Sequence, residues 1–385
     1  MRSWLYLPAL GLSCAFLTAE PGFAQTYTVT DLGTFPGGNY STAYGINQSG
    51  QITGWSGTSV AEIGGIPGSA FLYRDSKMVD IAPSFATGSI GTAIAGDDRK
   101  GVHPEDEEKR KVRVAGYGND AQGVTHAFLY QNHFLQILGF LPGGTTSIAF
   151  AVNGSGEVAG AADNSQGAVQ AVVFKNGNVI SLGTLGATAG GGEAFGINDR
   201  GDVTGIANTA NGDADGFLYH DRKMIDLGVL PGGNYSSGVG INDSLQITGT
   251  SGILDAANVH GFLWDKGKMT DLGVLPTGNS SQGIGINAWG EVVGGSDIFI
   301  PSQVDFGPPG TYISHGFLYS NGQLQDLNDL IPANSVWVLG AASGINDRGE
   351  IVGTGTINGE THGYLLKLNC NDSKNKHCEA CRNDR

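Results

Sequence analysis

Basic residues are scarce in this chain. Lysine and arginine together number 21 against 36 aspartates and glutamates, which leaves a formal charge of −15. This acidic balance opposes binding to nucleic acids and to anionic membrane surfaces, because like charges repel. After residue 24, no stretch approaches the roughly 20 consecutive apolar residues that a membrane-spanning helix needs. We therefore expect no nucleic-acid partner and no membrane span.

The one long apolar run lies at the N-terminus. Arg2 precedes the run from Trp4 to Thr18, and the small residues of GFA at 22–24 suit a signal peptidase. We predict that residues 1–24 are a signal peptide and that the protein is secreted, periplasmic or held at the cell surface. Cys14 follows GLS, which lacks the aliphatic residue of a lipoprotein signal. A lipid anchor is therefore only the alternative interpretation.

Cysteine is nearly absent after the N-terminal segment. Cys370, Cys378 and Cys381 all lie in a polar tail at 370–385. In a secreted protein they are candidates for a disulfide, which would leave one thiol over. A zinc site with His377 and a link between molecules are the alternatives. The CEACR segment lacks the histidine that haem attachment requires, and we expect no cofactor.

Glycine, in contrast, is abundant, with 64 residues, and much of it belongs to a repeat. The segment GINDRG occurs twice, at 196–201 and 344–349, and alignment on GIN gives seven copies with a period of about 50 residues. A degenerate copy starts at Ala93, and the others span 43–54, 149–160, 194–205, 238–249, 283–294 and 342–353. A second block, with the pattern HGFLY…DLG, alternates with the first at 70–81, 126–139, 170–183, 215–228, 260–273 and 315–328.

Each unit has the pattern of four short strands joined by tight turns. The turn glycines supply the positive φ that hairpins need. Four strands per unit, repeated seven times, are typical of the blades of a β-propeller. The first strand of every unit carries glycine or alanine at two positions of one face, as convergence on an axis requires. These pairs are 43/45, 93/95, 149/151, 194/196, 238/240, 283/285 and 342/344.

The two ends of the repeat region are out of phase. YTVTDLG at 27–33 matches a fourth strand, whereas THGYLLKL at 361–368 matches a third strand without a partner. Pairing the two would remove both open sheet edges. We predict an all-β fold, a seven-bladed β-propeller over 25–369, closed by an N-terminal strand that completes the last blade. A linear β-solenoid is the alternative.

The pattern HAFLY…DLG.LPGG…S.A.GIN resembles the HAF-repeat family of predicted extracellular bacterial proteins, over about residues 27–368. The resemblance implies an extracellular repeat protein and no particular activity. Many members of that family carry an apolar C-terminal anchor. The polar tail of this chain departs from that pattern.

The connections between units predict a binding surface on one face, the top. They carry amide groups and aromatic rings that suit an uncharged polar partner. The candidate ligand-binding residues are Asn39, Tyr40, Asn234, Tyr235, Asn279 and Trp337. Alternatively, these residues only bond their own turns. We expect a monomeric, non-enzymatic binding or matrix module whose partner is an extracellular polysaccharide or protein.

A carbohydrate-active enzyme, a glycoside hydrolase or lyase with its site at the top centre, is the alternative function. Hydrolysis of a glycoside needs two carboxylates about 5–10 Å apart. The connections offer only Glu193, which a loop residue such as Asp255 would have to complement. We therefore assign no catalytic residue.

Two other patterns could indicate metal sites. Asn211, Asp213 and Asp215 form the first half of a calcium loop, but Arg222 stands where the bidentate acid belongs. Histidines begin four of the third strands, at His126, His260, His315 and His362. They would lie too far apart to share an ion, so we predict structural hydrogen bonds for them and no metal site.

Overall fold

A computed structural model describes residues 26–57, 68–96, 111–188, 190–253, 258–301 and 310–369 of the protein. The predicted signal peptide, Asp255 and the three cysteines of the tail lie outside these residues. Within the described residues the regular elements are β-strands, apart from a 3₁₀ turn at Leu327–Leu330. No helix in this part of the chain is long and apolar enough to cross a membrane.

The strands follow one another as antiparallel neighbours. The first half of the chain contains β1 (Tyr27–Asp31), β2 (Tyr40–Ile46), β3 (Ile52–Gly57), β4 (Gly68–Arg74), β5 (Lys77–Asp80), β6 (Ser89–Ala95), β7 (Arg113–Asn119), β8 (Thr125–Gln131), β9 (Phe134–Ile137), β10 (Ser147–Val152), β11 (Val158–Asp163), β12 (Val169–Lys175) and β13 (Asn178–Ser181). The second half contains β14 (Gly192–Ile197), β15 (Val203–Asn208), β16 (Ala214–His220), β17 (Lys223–Asp226), β18 (Ser236–Ile241), β19 (Ile247–Gly252), β20 (Val259–Asp265), β21 (Lys268–Asp271), β22 (Ser281–Ile286), β23 (Val292–Ile300), β24 (Thr311–Ser320), β25 (Gln323–Asp326), β26 (Trp337–Ile345), β27 (Ile351–Ile357) and β28 (Glu360–Leu368).

Groups of four strands form the sheets. Five groups are separate sheets: β6 to β9, β10 to β13, β14 to β17, β18 to β21 and β22 to β25. The remaining two groups share one eight-stranded sheet: β2 to β5 form one group, and β26 to β28 with β1 form the other. A parallel bridge between Tyr40 and Thr361 joins these two groups. The prediction of an all-β chain built from four-stranded sheets is thereby confirmed.

The first and last strands of the described residues pair with each other. β1 runs antiparallel to β28, from Tyr27 opposite Leu368 to Asp31 opposite Tyr364. The ring of Tyr27 is only 1% exposed. The carboxylate of Asp31 lies 2.9 Å from Nδ1 of His362 and adds a side-chain contact between the same two strands. Residues more than 330 positions apart in sequence therefore form the fourth and third strands of one group.

The first strands of the groups contact one another in a cycle. β2, β6, β10, β14, β18, β22 and β26 each contact the next, and β26 contacts β2. Each of these strands contains a bulge, which separates the two small residues of its pair. In the second unit the pair is Gly91 and Ala93, opposite Gly116 and Ala115. The predicted pair 93/95 is therefore wrong by two residues, and β6 and β7 also extend one residue further toward their hairpin than the other units do.

Close approach of the neighbouring strand explains the missing side-chain bulk. A Cβ atom on Gly240 would lie 2.7 Å from the main-chain oxygen of Ile284 in the next unit. On Gly45 it would lie 3.2 Å from the main-chain nitrogen of Ile94. Real Cβ atoms essentially never come as close as the first distance, so the first strands pack backbone against backbone around the centre.

The asparagine of each GIN segment explains why the segment is repeated. The side-chain oxygen of Asn198 accepts hydrogen bonds from the main-chain N–H groups of Arg200 and Asp202, which closes the hairpin turn. Its side-chain amide donates to the main-chain oxygen of Asn242 in the next unit, at 3.2 Å. Asn346 accepts from the main-chain N–H groups of Arg348 and Glu350 in the same way, and it donates to the main-chain oxygen of Asn47 at 3.1 Å. GINDRG is thus a hairpin cap that also joins neighbouring units.

Aromatic side chains of the third strands fill the core between neighbouring sheets. Six of these strands bury one ring completely: Phe71, Phe128, Phe217, Phe262, Phe317 and Tyr364. Each ring packs with aliphatic residues of its own and adjacent strands, as in the cluster of Phe71 with Ile52 and Val352. Such burial removes large apolar areas from water and stabilises contacts between units as well as within them.

Candidate functional site

An aromatic cluster of Tyr40, Tyr44, Trp55 and Tyr117 lies on the top face, which carries the connections between units and the loops between second and third strands. The rings of Tyr40 and Trp55 are stacked, with centroids 5.0 Å apart and planes inclined by 20°. Tyr40 begins β2 and Trp55 lies on the adjacent β3. A Cβ atom on Gly68 would lie 2.7 Å from the Trp55 ring, so this glycine allows the indole to lie against β4.

Tyr44 connects the cluster to the centre of the molecule. It is the bulged residue of β2, between Ala43 and Gly45, and its side chain is 37% exposed. Burial raises its pKa, an effect that hydrogen bonds from the Trp55 and Thr42 side chains oppose and the nearby Tyr117 and Tyr40 reinforce. Burial likewise raises the pKa of Tyr117. Both phenols are therefore neutral at physiological pH, and the cluster offers ring faces and uncharged hydroxyl groups.

An axial cavity of about 280 Å³ lies inside the ring of first strands. Every first strand contributes its bulged residue to the lining: Tyr44, Thr92, Phe150, Phe195, Val239, Ile284 and Ser343. The described residues that line this cavity include no acidic, basic, histidine or cysteine side chain. This composition suits contact with an uncharged group, and Tyr44 is the one described lining side chain of a type that serves in general acid–base catalysis.

Two of the six predicted ligand-binding residues lie at this cluster. Tyr40 belongs to it, and the neighbouring Asn39 is exposed, with its main-chain N–H donating to the oxygen of Gly57 at 3.0 Å. Trp337 lies in the core instead: its side chain is 9% exposed and packs edge-on against the ring of Tyr364. Little of the Trp337 ring is therefore accessible to a ligand.

The other three predicted residues lie in other units. Tyr235 is 36% exposed and holds the position that Tyr40 holds in the first unit, next to Asn234. Thr250 stands where the first unit has Trp55, so Tyr235 has no stacking partner at that position. The side-chain amide of Asn279 donates to the hydroxyl oxygen of Tyr312 at 2.6 Å, on the long hairpin of β23 and β24. The structure does not bring these residues into the aromatic cluster.

The acidic candidates are dispersed over the top face. Glu193 is half-buried on β14, and burial raises its pKa. Asn211 and Asp213 lie in the hairpin loop between β15 and β16, and Asp215 is the second residue of β16, opposite Ala207. In the described part of the chain, no group of three or more acidic, histidine or cysteine side chains is arranged to hold a metal ion.

The strand-initial histidines bind carboxylates. Nδ1 of His260 lies 2.9 Å from Asp271, and Nδ1 of His315 lies 2.6 Å from Asp326, each on the adjacent fourth strand. His126 instead contacts Asp120 in the loop that precedes β8, at 2.8 Å. These histidines hold neighbouring strands or loops together.

Three members of the aromatic cluster were missed by the sequence interpretation: Tyr44, Trp55 and Tyr117. A signal was present, because Trp55 and Tyr117 occupy the same register position on the second strands of two consecutive units. The corresponding residues of the other units are Ala161, Ile206, Thr250, Gly295 and Thr354. Two large aromatic residues in a position that is otherwise smaller distinguish these units from the rest.

Comparisons with solved structures give distant likenesses. TolB from Acinetobacter baumannii matches at 9% identity over 66% of this chain and 65% of its own, with a TM-score of 0.39. The SapL1 lectin in complex with α-methyl fucoside matches at 14% identity over 86% of this chain and 97% of its own, with a TM-score of 0.36. An α-L-arabinofuranosidase from Fusarium graminearum matches at 11% identity over 90% and 98%, with a TM-score of 0.34. No curated protein matches the sequence.

A match to a sequence family corrects the resemblance inferred from the repeats. Residues 144–374, more than half of the chain, match the family described as "Protein of unknown function (DUF3466)". The assignment to the HAF-repeat family is therefore wrong. The residues that suggested it, such as Asn198 and Asn346, cap hairpins and join units, so they reflect the architecture. The chain belongs to the family described as protein of unknown function, DUF3466.

Proposed function

We propose that this protein is a secreted, seven-bladed β-propeller that binds an uncharged extracellular polysaccharide on its top face. Seven four-stranded groups, the cycle of first strands and the pairing of β1 with β28 support the closed ring. The apolar N-terminal segment supports secretion, and the net charge of −15 opposes an anionic partner.

The stacked pair of Tyr40 and Trp55 carries this proposal. Aromatic faces bind the apolar faces of sugars, while hydroxyl groups beside them orient the sugar hydroxyls. Here the phenols of Tyr44 and Tyr117 lie next to the pair, and their raised pKa values keep them uncharged. A half-exposed, uncharged aromatic platform suits a neutral polar chain better than an ionic ligand.

The binding test compares two tyrosines in equivalent positions. A glycan array with the purified full chain identifies a ligand, and isothermal titration then measures its affinity. We expect Tyr40→Ala to weaken binding by about 1–3 kcal/mol, since aromatic anchors in a binding site contribute energies of this order. Tyr235→Ala is the matched control, because Tyr235 lacks the tryptophan neighbour; it should leave the affinity unchanged.

The outcomes separate the proposal from its competitors. Full affinity in a folded Tyr40→Ala variant would place the ligand elsewhere. Equal losses in the two variants would also contradict the role of the stacked pair. Binding to peptides on a parallel array, with none to glycans, would identify a protein partner and reject the polysaccharide.

Glu193 supports one alternative, a carbohydrate-active enzyme. A half-buried carboxyl group with a raised pKa is suited to act as a general acid. Glycoside hydrolysis also needs a second carboxylate nearby. Two other carboxylates of the top face, those of Asp163 and Asp297, already accept hydrogen bonds from main-chain N–H groups of the connections, which is a structural role. Release of reducing sugar from an array ligand, lost in Glu193→Gln, would favour the enzyme.

A further inference from the structure

The axial cavity has the size of part of a ligand. Sites for complete small molecules have volumes of about 300–1,000 Å³, whereas this cavity has about 280 Å³. A group of one or two rings fits that space, and the remainder of a larger molecule would lie outside it. Because Tyr44 both lines the cavity and contacts Trp55, the aromatic cluster and the cavity share one continuous surface.

The hydroxyl groups that line the cavity are already hydrogen-bonded to the protein. Thr92 donates to the main-chain oxygen of Ala149 at 2.9 Å, and Ser343 donates to that of Ala43 at 2.6 Å. Both bonds connect neighbouring units, so these donors are used in the structure. An ionised group in the cavity would lose its hydration without gaining a charged partner, which is strongly unfavourable.

The lining is asymmetric around the ring. Phe150 and Phe195, in neighbouring units, contact each other edge to face, with centroids 5.1 Å apart and planes at 65°. Three or four units further round the ring is Ser343, the smallest of the bulged residues. The rings of Phe150 and Phe195 form one wall of the cavity, whereas the small side chains of Ser343 and Thr92 lie on either side of Tyr44. They leave free volume between that wall and the Tyr44 ring, where a further ring can pack in an edge-to-face or offset arrangement.

We infer that the axial cavity binds a single uncharged aromatic ring carried at one end of a ligand. This deepens the proposed function, on which it rests only for the polar part of that ligand. An aryl glycoside or an aromatic ester on a polysaccharide has the required chemistry: a neutral ring for the cavity and hydroxyl groups for the cluster at Tyr40 and Trp55.

Benzyl alcohol and benzoate, which differ mainly in charge, test the cavity without any sugar. Ligand-observed NMR with the full chain measures the affinity of each. We expect saturable binding of benzyl alcohol at millimolar concentration and at least tenfold weaker binding of benzoate. Ser343→Leu fills the cavity and should abolish benzyl alcohol binding, whereas Ser343→Ala, which removes the same hydrogen bond without filling the space, should retain it.

A second filling variant, Ile284→Phe, keeps the test valid if Ser343→Leu does not fold, and thermal unfolding checks each variant. Equal binding of benzoate, undiminished binding to the filled variants or no binding of benzyl alcohol would each overturn the inference. If array glycans fail to bind but benzyl alcohol binds and is lost on filling, the cavity site stands and the proposed polysaccharide function falls. If glycans bind through Tyr40 but benzyl alcohol does not bind, the proposed polysaccharide function stands and the cavity site falls.

Discussion

A Cβ atom on Gly283 would collide with the side-chain oxygen of Thr248 in the neighbouring unit. That oxygen is buried and donates a hydrogen bond to the main-chain oxygen of Phe262 at 2.8 Å, so it cannot turn away without losing its acceptor. Gly238 accommodates Thr204 in the same manner. The glycine of one unit is thus matched to the threonine of the unit before it.

This matching recurs at each contact between neighbouring units. In three pairs, a threonine on the second strand of one unit contacts a glycine on the first strand of the following unit. These pairs are Thr53–Gly91, Thr204–Gly238 and Thr248–Gly283. At the other four contacts between units, an alanine or valine of the second strand shares a buried cluster with an alanine of the following first strand. These pairs are Ala115–Ala149, Ala159–Ala194, Val293–Ala342 and Val352–Ala43. The last pair joins the final unit to the first. Complementary sizes therefore favour the observed order of neighbours.

We expect Gly283→Ala to destabilise the protein by about 1–3 kcal/mol, because the added methyl group overpacks a buried contact. Adding Thr248→Ala removes the colliding oxygen and recreates the alanine pair of Ala115 and Ala149. The double variant should therefore be more stable than Gly283→Ala alone, with a coupling energy of about 1–2 kcal/mol. Urea unfolding of the four proteins of the cycle measures this energy. Simple additivity of the two substitutions would contradict the size matching.

Pairing of the chain ends gives the second prediction. Tyr27 is buried between β1, β28 and the cluster that contains Leu366, so Tyr27→Ala should cost about 3–5 kcal/mol, as for other large aromatic truncations. Thr28 on the same strand is exposed, and Thr28→Ala should change the stability by less than about 0.5 kcal/mol. Thermal unfolding of both variants distinguishes a strand that packs from one that lies loosely on the edge.

Removal of β1 extends that test. Deleting residues 26–33 leaves the hydrogen-bonding edge of β28 unpaired, and exposed edges associate with other chains. We expect the truncated protein to form oligomers or aggregates in size-exclusion chromatography. A monomer with an unchanged melting temperature would show that the fold does not depend on the N-terminal strand.

The third prediction concerns the asparagines that cap the hairpin turns and join neighbouring units. Asn346 is 1% exposed and binds main-chain groups of its own hairpin and of Asn47. Asn346→Ala should destabilise the fold by about 2–3 kcal/mol, because several buried donors and acceptors lose their partners. Asn178 makes one exposed bond to Asn176, and Asn178→Ala is the control, with a change below about 0.5 kcal/mol. Similar values for the two variants would contradict the proposed role of the capping asparagines.

Local pattern explains which parts of this structure the sequence could predict. Strands, hairpin turns and the small residues of the first strands follow from periodicity and glycine placement, as at Gly240 and Gly349. The cluster at Trp55 and Tyr117 depends on which units become neighbours and on the register between them, which one unit alone does not reveal. Likewise, the burial of Trp337 follows from its contact with Tyr364, on a strand that lies further along the chain.

Asp215 provides the last prediction, which concerns pH. On β16, Asp215 occupies the register position that His260 occupies on β20. His260 contacts Asp271 of its adjacent fourth strand, and Asp215 correspondingly lies near Asp226. Its Oδ1 atom is buried and has no hydrogen-bond partner among the described residues. Burial raises the pKa of Asp215, and the charges of Asp226 and Asp213 raise it further.

A carboxyl group whose pKa is raised by folding stabilises the native state only while it is protonated. Its contribution is complete below the ordinary aspartate pKa of about 3.9 and is lost as the pH rises through the higher native pKa. At pH 7 the ionised Asp215 therefore destabilises the protein, and Asp215→Asn should increase the free energy of unfolding by about 0.5–1 kcal/mol. Asp215→His should stabilise at least as much at pH 7, because it restores the histidine–aspartate contact of the other units. Urea unfolding at pH 7 and pH 3 measures both effects; the gain of Asp215→Asn should vanish at pH 3, and a gain equal at both pH values would show that repulsion between carboxylates is not its cause.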